Sequence, residues 1–156
     1  GSMKAVVRPY HRQDVHQCMQ IAKTFQENST FSKSGWNNEK FFSLSNYALQ
    51  DDSDVFAYVV DIDSRVIGAF VGNISEYYFS NEKLAQDLVV IFLPEYKKDS
   101  HMYLDIIIPK FEEWAKSKGA VETCIGSSTA LKRNRYKDYL KSKDYKDVGF
   151  IMKKEI

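Results

Sequence analysis

The chain has 156 residues, of which 44% are hydrophobic, and this length and apolar content predict one globular domain with its own core. Its 22 basic and 21 acidic side chains nearly cancel, so the composition favours neither a nucleic-acid-binding surface nor an acidic partner surface. No apolar run approaches the ~20 residues of a membrane span, and the N-terminus lacks a signal-peptide core. A soluble, cytoplasmic protein is expected.

The opening Gly-Ser-Met tripeptide is typical of a cleaved tag, so the predicted domain covers residues 4–156. The two cysteines, Cys18 and Cys124, have neither metal-like nor disulfide-framework spacing, and buried free thiols are predicted. His11 and His16 share no metal-like spacing with other candidate ligands, so no metal site is predicted.

The N-terminal part predicts a strand followed by a helix. Residues 4–8 form a short strand closed by Pro9. Asp14, with Gln17 three residues later, resembles a capping pair that opens a helix ending near Asn28. The apolar stripe of this helix has helical spacing and consists of Val15, Cys18, Ala22 and Phe25.

A polar loop and a second helix follow. Residues 27–35 are rich in Ser and Thr, and they form either a substrate-facing loop or a plain connector. Asn37 or Asn38 then caps the second helix. The apolar residues of this helix are Phe41, Leu44 and Ala48.

The middle of the chain predicts β-structure. Residues 55–62 and 66–74 are rich in β-branched and aromatic side chains and flank a two-residue turn, which predicts a hairpin. Gly68 and Gly72 in its second arm indicate a bulge or a close backbone approach. Residues 84–93 form the next strand, and their continuous apolar run predicts burial on both faces.

The C-terminal half alternates helices and strands. Residues 100–118 predict a helix that continues, with a kink, through Pro109, because apolar residues keep helical spacing on both sides of it. Residues 120–125 form a strand, a basic helix covers about residues 131–143, and residues 148–153 close the chain as a strand. This order predicts an α/β (α+β) fold in which a mixed sheet carries helices on both faces.

Four segments carry a resemblance that covers nearly the whole chain: AVVRPYHRQDVHQCMQIA, RVIGAFVG, DLVVIFLPEYKKDS with FEEWAKSKGA, and YLKSKDYKDVGF. The pattern resembles the GNAT superfamily of N-acyltransferases, and most closely its small phage-like members. The resemblance implies a mixed, splayed sheet of six to seven strands flanked by about four helices. It also implies acetyl-CoA as the cofactor, entering where the sheet splays between its fourth and fifth strands.

By this resemblance, the fourth strand binds the pantetheine arm through its backbone, and the turn after it wraps the pyrophosphate. A helix start with free N–H groups and a partial positive charge favours such a phosphate. The implied cofactor-binding residues are Ile91, Phe92 and Leu93 of the strand and Lys97, Lys98, Asp99, Ser100, His101 and Met102 of the turn.

The cofactor turn departs from the family pattern, because Ser100 and Met102 stand where the family has small residues. Glycine at such a position allows a phosphate to approach the backbone closely. The motif is therefore a degenerate one. Without the resemblance, the alternative interpretation is that Lys97 and Lys98 are solvated lysines of an ordinary turn.

Members of the superfamily often protonate the departing CoA thiolate with a tyrosine of the last helix. In the matching run, Leu140 holds the usual tyrosine position and Asp144 the usual glycine position. The implied catalytic candidates are Tyr139, one residue away, and Tyr136, one turn earlier. Each is alternatively an aromatic residue that packs the helix against the sheet.

The candidates for a general base are Glu76, Asp87 and Glu122. The alternative for each of them is a solvated or structural role. Seven basic side chains lie between residues 132 and 146 with tyrosines among them. Such a stretch is typical of some nucleic-acid contact surfaces, but it also fits contact with CoA or a solvated helix face.

Two hypotheses of function follow. The first is an acetyl-CoA-dependent N-acetyltransferase in which an amine, as a small molecule or on a protein, attacks the thioester directly. The second is a catalytically degenerate GNAT fold that binds a protein partner, a host protein if the chain comes from a phage, or a nucleic acid.

Overall fold

A computed structural model describes residues 4–29, 32–126 and 133–156 of the chain. Within these ranges the main elements are β1 Ala5–Pro9, α1 Val15–Glu27, α2 Asn38–Ala48, β2 Val55–Ile62, β3 Arg65–Glu76, β4 Lys83–Phe92, α3 Ser100–Ser117, β5 Ala120–Cys124 and α4 Arg133–Ser142. Short 3₁₀ helices cover Arg12–Asp14, Ser32–Ser34 and Pro94–Asp99. In the part of the chain that is described, no helix is both long and apolar enough to cross a membrane.

The strands form one mixed sheet in the order β1-β2-β3-β4-β5, in which only the pair β4–β5 is parallel. The mixed sheet is confirmed, but the described residues contain five strands rather than six to seven. The strand predicted over residues 148–153 is wrong, since these residues are irregular and Val148 and Ile151 are more than 90% exposed. A segment rich in β-branched and aromatic side chains forms a strand only where a neighbouring strand supplies hydrogen bonds and burial. No described strand lies along the outer edge of β5.

The hydrophobic core lies on the face of the sheet that carries α3 and α4. Phe70 of β3 and Phe111 of α3 are fully buried there, with their ring centroids 5.0 Å apart. Gly72 makes this packing possible, because a Cβ at that position would lie 2.6 Å from the Phe111 ring. The helix α3 continues through Pro109, as predicted, with this proline exposed.

The predicted capping pair at the start of α1 is wrong. The Asp14 carboxylate accepts hydrogen bonds from Arg8 at 2.7 and 2.8 Å and from the His11 N–H at 2.8 Å. A guanidinium offers two charge-assisted bonds in one plane, which outcompete the backbone N–H groups of the helix. Gln17 instead accepts the Val66 N–H at 3.0 Å, so it ties α1 to β3.

Several local predictions have mixed outcomes. Asn37 caps α2 as predicted, since its side chain accepts the Lys40 N–H at 3.0 Å. Both cysteines are free, but Cys18 is only half-buried and Cys124, at the end of the edge strand β5, is exposed. The basic helix predicted from about residue 131 is α4, although residues 131–132 lie outside the described part, as do residues 30–31 of the predicted polar loop.

Candidate functional site

The sheet opens between β4 and β5. The parallel pairing covers only Lys83 to Gln86 of β4, opposite Ala120 to Cys124 of β5. Beyond Gln86, β4 pairs only with β3 among the described strands. The backbone groups of residues 87–92 that face away from β3 therefore have no strand partner, and a free strand edge of this kind can bind an extended ligand.

A β-bulge marks the start of this opening. Asp87 and Val89 pair with consecutive residues of β3, so Leu88 between them is an extra residue. A bulge bends its strand and redirects the groups next to it. The Asp87 carboxylate accepts the Gly126 N–H at 2.8 Å, which links β4 to the chain that leaves β5.

Tyr136 of α4 is buried near this opening. The residue is 4% exposed, and its hydroxyl has no hydrogen-bond partner among the described residues. Burial, and after it the negative charge of Asp87, raise the pKa of Tyr136 far above its usual value. An unpartnered buried hydroxyl costs about 1–3 kcal/mol, so this group is a proton donor that a bound ligand can satisfy.

Tyr139 has different surroundings. Its hydroxyl donates to Asp105 of α3 at 2.6 Å, and the Lys143 ammonium lies 5.6 Å from its ring centroid. Burial and the hydrogen bond to Asp105 raise its pKa. Of the two tyrosines named from the sequence, Tyr139 is thus engaged at the surface between α3 and α4, and Tyr136 is the one close to Asp87.

The end of α4 matches one detail of the motif. Asp144 has a φ of 68°, in the left-handed region that favours glycine, and the family pattern has glycine at this position. Leu140, at the usual tyrosine position, is 7% exposed and belongs to the core. Asp144 therefore adopts a backbone conformation that glycine would favour, whereas Leu140 is a core residue.

The predicted cofactor turn is a 3₁₀ helix, Pro94–Asp99, from which α3 continues at Ser100. Part of its hydrogen-bonding capacity is used internally, since the Tyr96 N–H donates to the Leu93 carbonyl at 2.9 Å. Lys97 is half-buried and Lys98 is exposed, and neither forms an ion pair with a described carboxylate. Among the described residues, therefore, these two ammonium groups next to the end of β4 have no carboxylate partner.

The other predicted cofactor residues surround this turn. Ser100 is buried at the first position of α3, whereas His101 and Met102 are exposed, so the bulk of Met102 does not fill the turn. Asp99 is half-buried. Of the three strand residues, Ile91 and Phe92 are buried on opposite faces of the sheet, and the Leu93 N–H donates to the Ile67 carbonyl at 2.9 Å.

Of the three candidate bases, only Asp87 lies at the opening. Glu76 is exposed at the end of β3, and Glu122 is exposed on β5, where it accepts a short hydrogen bond from Tyr77. Burial raises the pKa of Asp87 above its usual value, although the Gly126 N–H opposes this shift. A partly buried carboxylate with a raised pKa is a stronger base than a fully solvated one.

The basic side chains of α4 are partly paired with carboxylates. Lys137 lies 2.5 Å from Asp147, and Lys143 lies 2.9 Å from Asp105. These ion pairs reduce the positive charge that the helix offers to a phosphate backbone. Nucleic-acid binding by this helix remains a sequence-based prediction.

A cavity of about 840 Å³ lies between the two N-terminal helices and the opposite face of the sheet. It reaches the bulged strand at Leu88, Val89 and Ile91. The helix α1 has no buried residue, because most of its apolar stripe faces this cavity rather than a packed core. The wall is largely apolar, with Phe25, Trp36, Phe41, Leu44 and Tyr58 among its residues.

Sequence reasoning missed this cavity, although its signal was present. The stripes of both N-terminal helices were recognised by their spacing, but the same spacing is typical of a helix that packs on a core. Six of the seven stripe residues line the cavity: Cys18, Ala22, Phe25, Phe41, Leu44 and Ala48. The bulge at Leu88 lies opposite the step from Val71 to Gly72, and Gly72 had indicated a bulge or a close backbone approach there.

No protein-family model matches this sequence, and no curated protein matches it. Solved structures do share its fold. A Trypanosoma brucei acetyltransferase is 11% identical, with a TM-score of 0.70 over 98% of this chain and 100% of its own. The aminoglycoside N-acetyltransferase AAC(6′)-Iy, in complex with the bisubstrate analogue CoA-S-monomethyl-acetylneamine, is 11% identical, with a TM-score of 0.71 over 98% of both chains.

A GNAT family acetyltransferase from Staphylococcus aureus is 16% identical, with a TM-score of 0.62 over 99% of this chain and 100% of its own. At these identities the likeness establishes the fold. The class of fold is therefore that of the GNAT acetyltransferases, as the sequence resemblance implied.

Proposed function

We propose that this protein is an N-acetyltransferase that transfers an acetyl group from acetyl-CoA to an amine by direct attack. The observation that carries the proposal is the edge of β4 over residues 87–92, which has no strand partner among the described residues. This edge begins at a bulge and ends at a turn whose two lysines form no ion pair with a described carboxylate. The AAC(6′)-Iy structures contain CoA or a CoA analogue, which supports the same cofactor here.

The residues of the opening fit this cofactor. The pantetheine arm contains amides, which can pair with the free N–H and C=O groups of β4 as an added strand would. Lys97 and Lys98 supply positive charge for the pyrophosphate. Tyr136 presents, on the α4 side, a hydroxyl that has no hydrogen-bond partner in the described part of the chain.

The chemistry divides between cofactor and protein. When bound, acetyl-CoA supplies a thioester whose acetyl group passes to the amine. Tyr136 carries its proton at neutral pH, as an ordinary tyrosine does, and its buried hydroxyl would donate that proton to the departing sulfur. Asp87 lies outside the cavity wall and receives, through water, the proton that the amine loses, and its raised pKa suits that role.

The cavity between the N-terminal helices and the sheet provides the site for the amine. It meets β4 at Leu88, Val89 and Ile91, within the stretch whose other edge is free. An amine held there approaches β4 from the face opposite Tyr136. Holding both reactants in this way supplies much of a rate enhancement without a covalent intermediate.

Calorimetry with acetyl-CoA and release of the CoA thiol with a panel of amines test the proposal. We expect micromolar to millimolar binding, weakened about tenfold or more by Lys97→Glu with Lys98→Glu, because two attractive charges become repulsive. The matched control is Lys110→Glu with Lys116→Glu on an exposed part of α3. No binding at millimolar acetyl-CoA contradicts the proposal and favours a non-catalytic binding module.

A further inference from the structure

We infer that the amine acceptor is an apolar, preferably aromatic, primary amine with a single positive charge, and that Lys40 excludes polycationic amines. The inference rests on the proposed function, because it names the substrate class of the same site. It is drawn from the charges and the polar contacts of the cavity wall.

The cavity wall carries no acidic side chain. Among the described residues that line it, Lys40 is the only one charged at neutral pH. Residues 1–3, 30–31 and 127–132 contain no Asp or Glu, so they add no carboxylate either. A second or third ammonium group in this cavity would lose its hydration without gaining a counter-charge. Lys40 is exposed to solvent, and its charge would also repel such a ligand as it enters.

The polar groups of the wall are largely engaged with one another. The Tyr10 hydroxyl donates to Ser45 at 3.0 Å, and the Gln26 amide donates to Ser34 at 2.6 Å. The side chain of Asn37 caps α2. Few free polar partners therefore remain for a ligand rich in hydroxyl groups, such as an aminosugar.

Cys18 adds to this apolar character. Burial raises the pKa of its thiol to about 12, so it is uncharged at neutral pH. The rings of Phe25, Trp36, Phe41 and Tyr58 offer apolar surface instead. Burying an aromatic or branched side chain of a ligand against such surface is favourable, because it removes apolar area from water.

The volume of about 840 Å³ is within the range of small-molecule sites, and the wall reaches the bulge of β4. A ligand that places its apolar part among the rings can therefore present its amine to β4. A second charge, elsewhere on the ligand, would lie in the apolar part of the cavity, where the burial of a charge is unfavourable.

The test compares acetyl transfer to 2-phenylethylamine, spermidine and neamine, measured as kcat/KM. We expect 2-phenylethylamine to exceed the other two by about tenfold or more. Lys40→Glu should lower the preference for 2-phenylethylamine over spermidine by about tenfold, whereas the control Lys23→Glu, exposed on α1 outside the cavity wall, should leave it unchanged. A wild-type preference for spermidine or neamine, or a Lys40→Glu variant with the wild-type ratio, overturns the inference.

A binding measurement separates this inference from the proposed function. Calorimetry and Trp36 fluorescence report whether 2-phenylethylamine binds more tightly than spermidine even without acetyl-CoA. Acetyl-CoA binding together with a preference for spermidine would overturn the inference alone. Tighter binding of 2-phenylethylamine without any acetyl-CoA binding would support the inference and contradict the proposed function.

Discussion

Tyr136 and Tyr139 lie about one turn apart on α4, yet their hydroxyl groups have different surroundings. The Tyr139 hydroxyl donates a hydrogen bond to Asp105, and this bond holds the tyrosine at the surface between α3 and α4. Tyr136 has a buried hydroxyl with no described partner, and Asp87 lies near enough to raise its pKa. The spacing along the helix made both tyrosines candidates, and only their neighbours distinguish them.

Tyr136→Phe should lower kcat for acetyl transfer about 100-fold or more, since general acid catalysis by one group contributes roughly that much. The KM for acetyl-CoA should change little. The same variant should not lower the free energy of unfolding, because it removes an unsatisfied buried hydroxyl. Steady-state kinetics and urea unfolding measure the two effects.

Tyr139→Phe is the matched control, and it should keep most of the activity. If Tyr139→Phe lost activity and Tyr136→Phe did not, the roles assigned to these tyrosines would be reversed.

A buried ion cluster fixes the N-terminal strand. Arg8 contacts both Asp14, which is 1% exposed, and Asp61, with the second contact at 3.0 Å. Asp14→Ala should lower the free energy of unfolding by about 3–5 kcal/mol, because it leaves a largely buried guanidinium with one of its two partners. The control Glu95→Ala removes the exposed pair with Arg65 and should cost about 1 kcal/mol or less.

The same cluster predicts a pH dependence. Burial opposes ionisation of Asp14, but the hydrogen bonds from Arg8 and from the His11 N–H prevail and lower its pKa. The contribution of the Asp14 charge to the free energy of unfolding is therefore fully present above the unfolded-state pKa of about 3.9. It is lost as the pH falls through the lower folded-state pKa. Urea unfolding of wild type and Asp14→Asn between pH 2 and 7 should show a shallower acid loss for the variant. Parallel curves would contradict this assignment.

At the scale of elements, the bulge in β4 and the packing of α3 depend on β3. A Cβ at Gly72 would lie 2.6 Å from the Phe111 ring and 2.9 Å from the Gln86 carbonyl, which is backbone and cannot easily move. Gly72→Ala should therefore lower the free energy of unfolding by about 1–3 kcal/mol. Gly126→Ala is the control, since its nearest neighbour would be the Asp87 carboxylate at 3.8 Å, and it should change stability by about 0.5 kcal/mol or less. Equal losses in both variants would contradict this account, and denaturant midpoints measure them.

The elements divide clearly into those that local sequence predicts and those that it does not. Residues 55–62 were predicted as a strand with its observed bounds, and Asn37 or Asn38 as a helix cap, because β-propensity and capping are local properties. Residues 148–153 have the composition of a strand but no described neighbouring strand, and the presence of a neighbour depends on the whole fold.

The candidate site shows the same division. The predicted turn and α4 both border the opening, and the resemblance placed them there. The distinction between Tyr136 and Tyr139, and the cavity behind the apolar stripes of α1 and α2, depend on contacts between elements distant in sequence. Periodicity identifies an apolar face, but it does not show whether that face meets a core or a cavity.

At the scale of the whole molecule, the sheet separates two regions with different roles. The side with α3 and α4 holds the packed core and Tyr136, and the side with α1 and α2 holds the cavity. The strand β4 is shared by both, and its free edge connects them. The chemistry that we propose therefore occurs at the one strand that can contact both reactants.

Hydrogen exchange with mass spectrometry, with and without acetyl-CoA, tests the binding of the cofactor to β4 most directly. We predict slower amide exchange in residues 87–99 on addition of acetyl-CoA, because the free edge of β4 and the following turn gain hydrogen bonds, and no change in β1 or β2. Unchanged exchange in residues 87–99 at saturating acetyl-CoA, or protection confined to another part of the chain, would contradict the account.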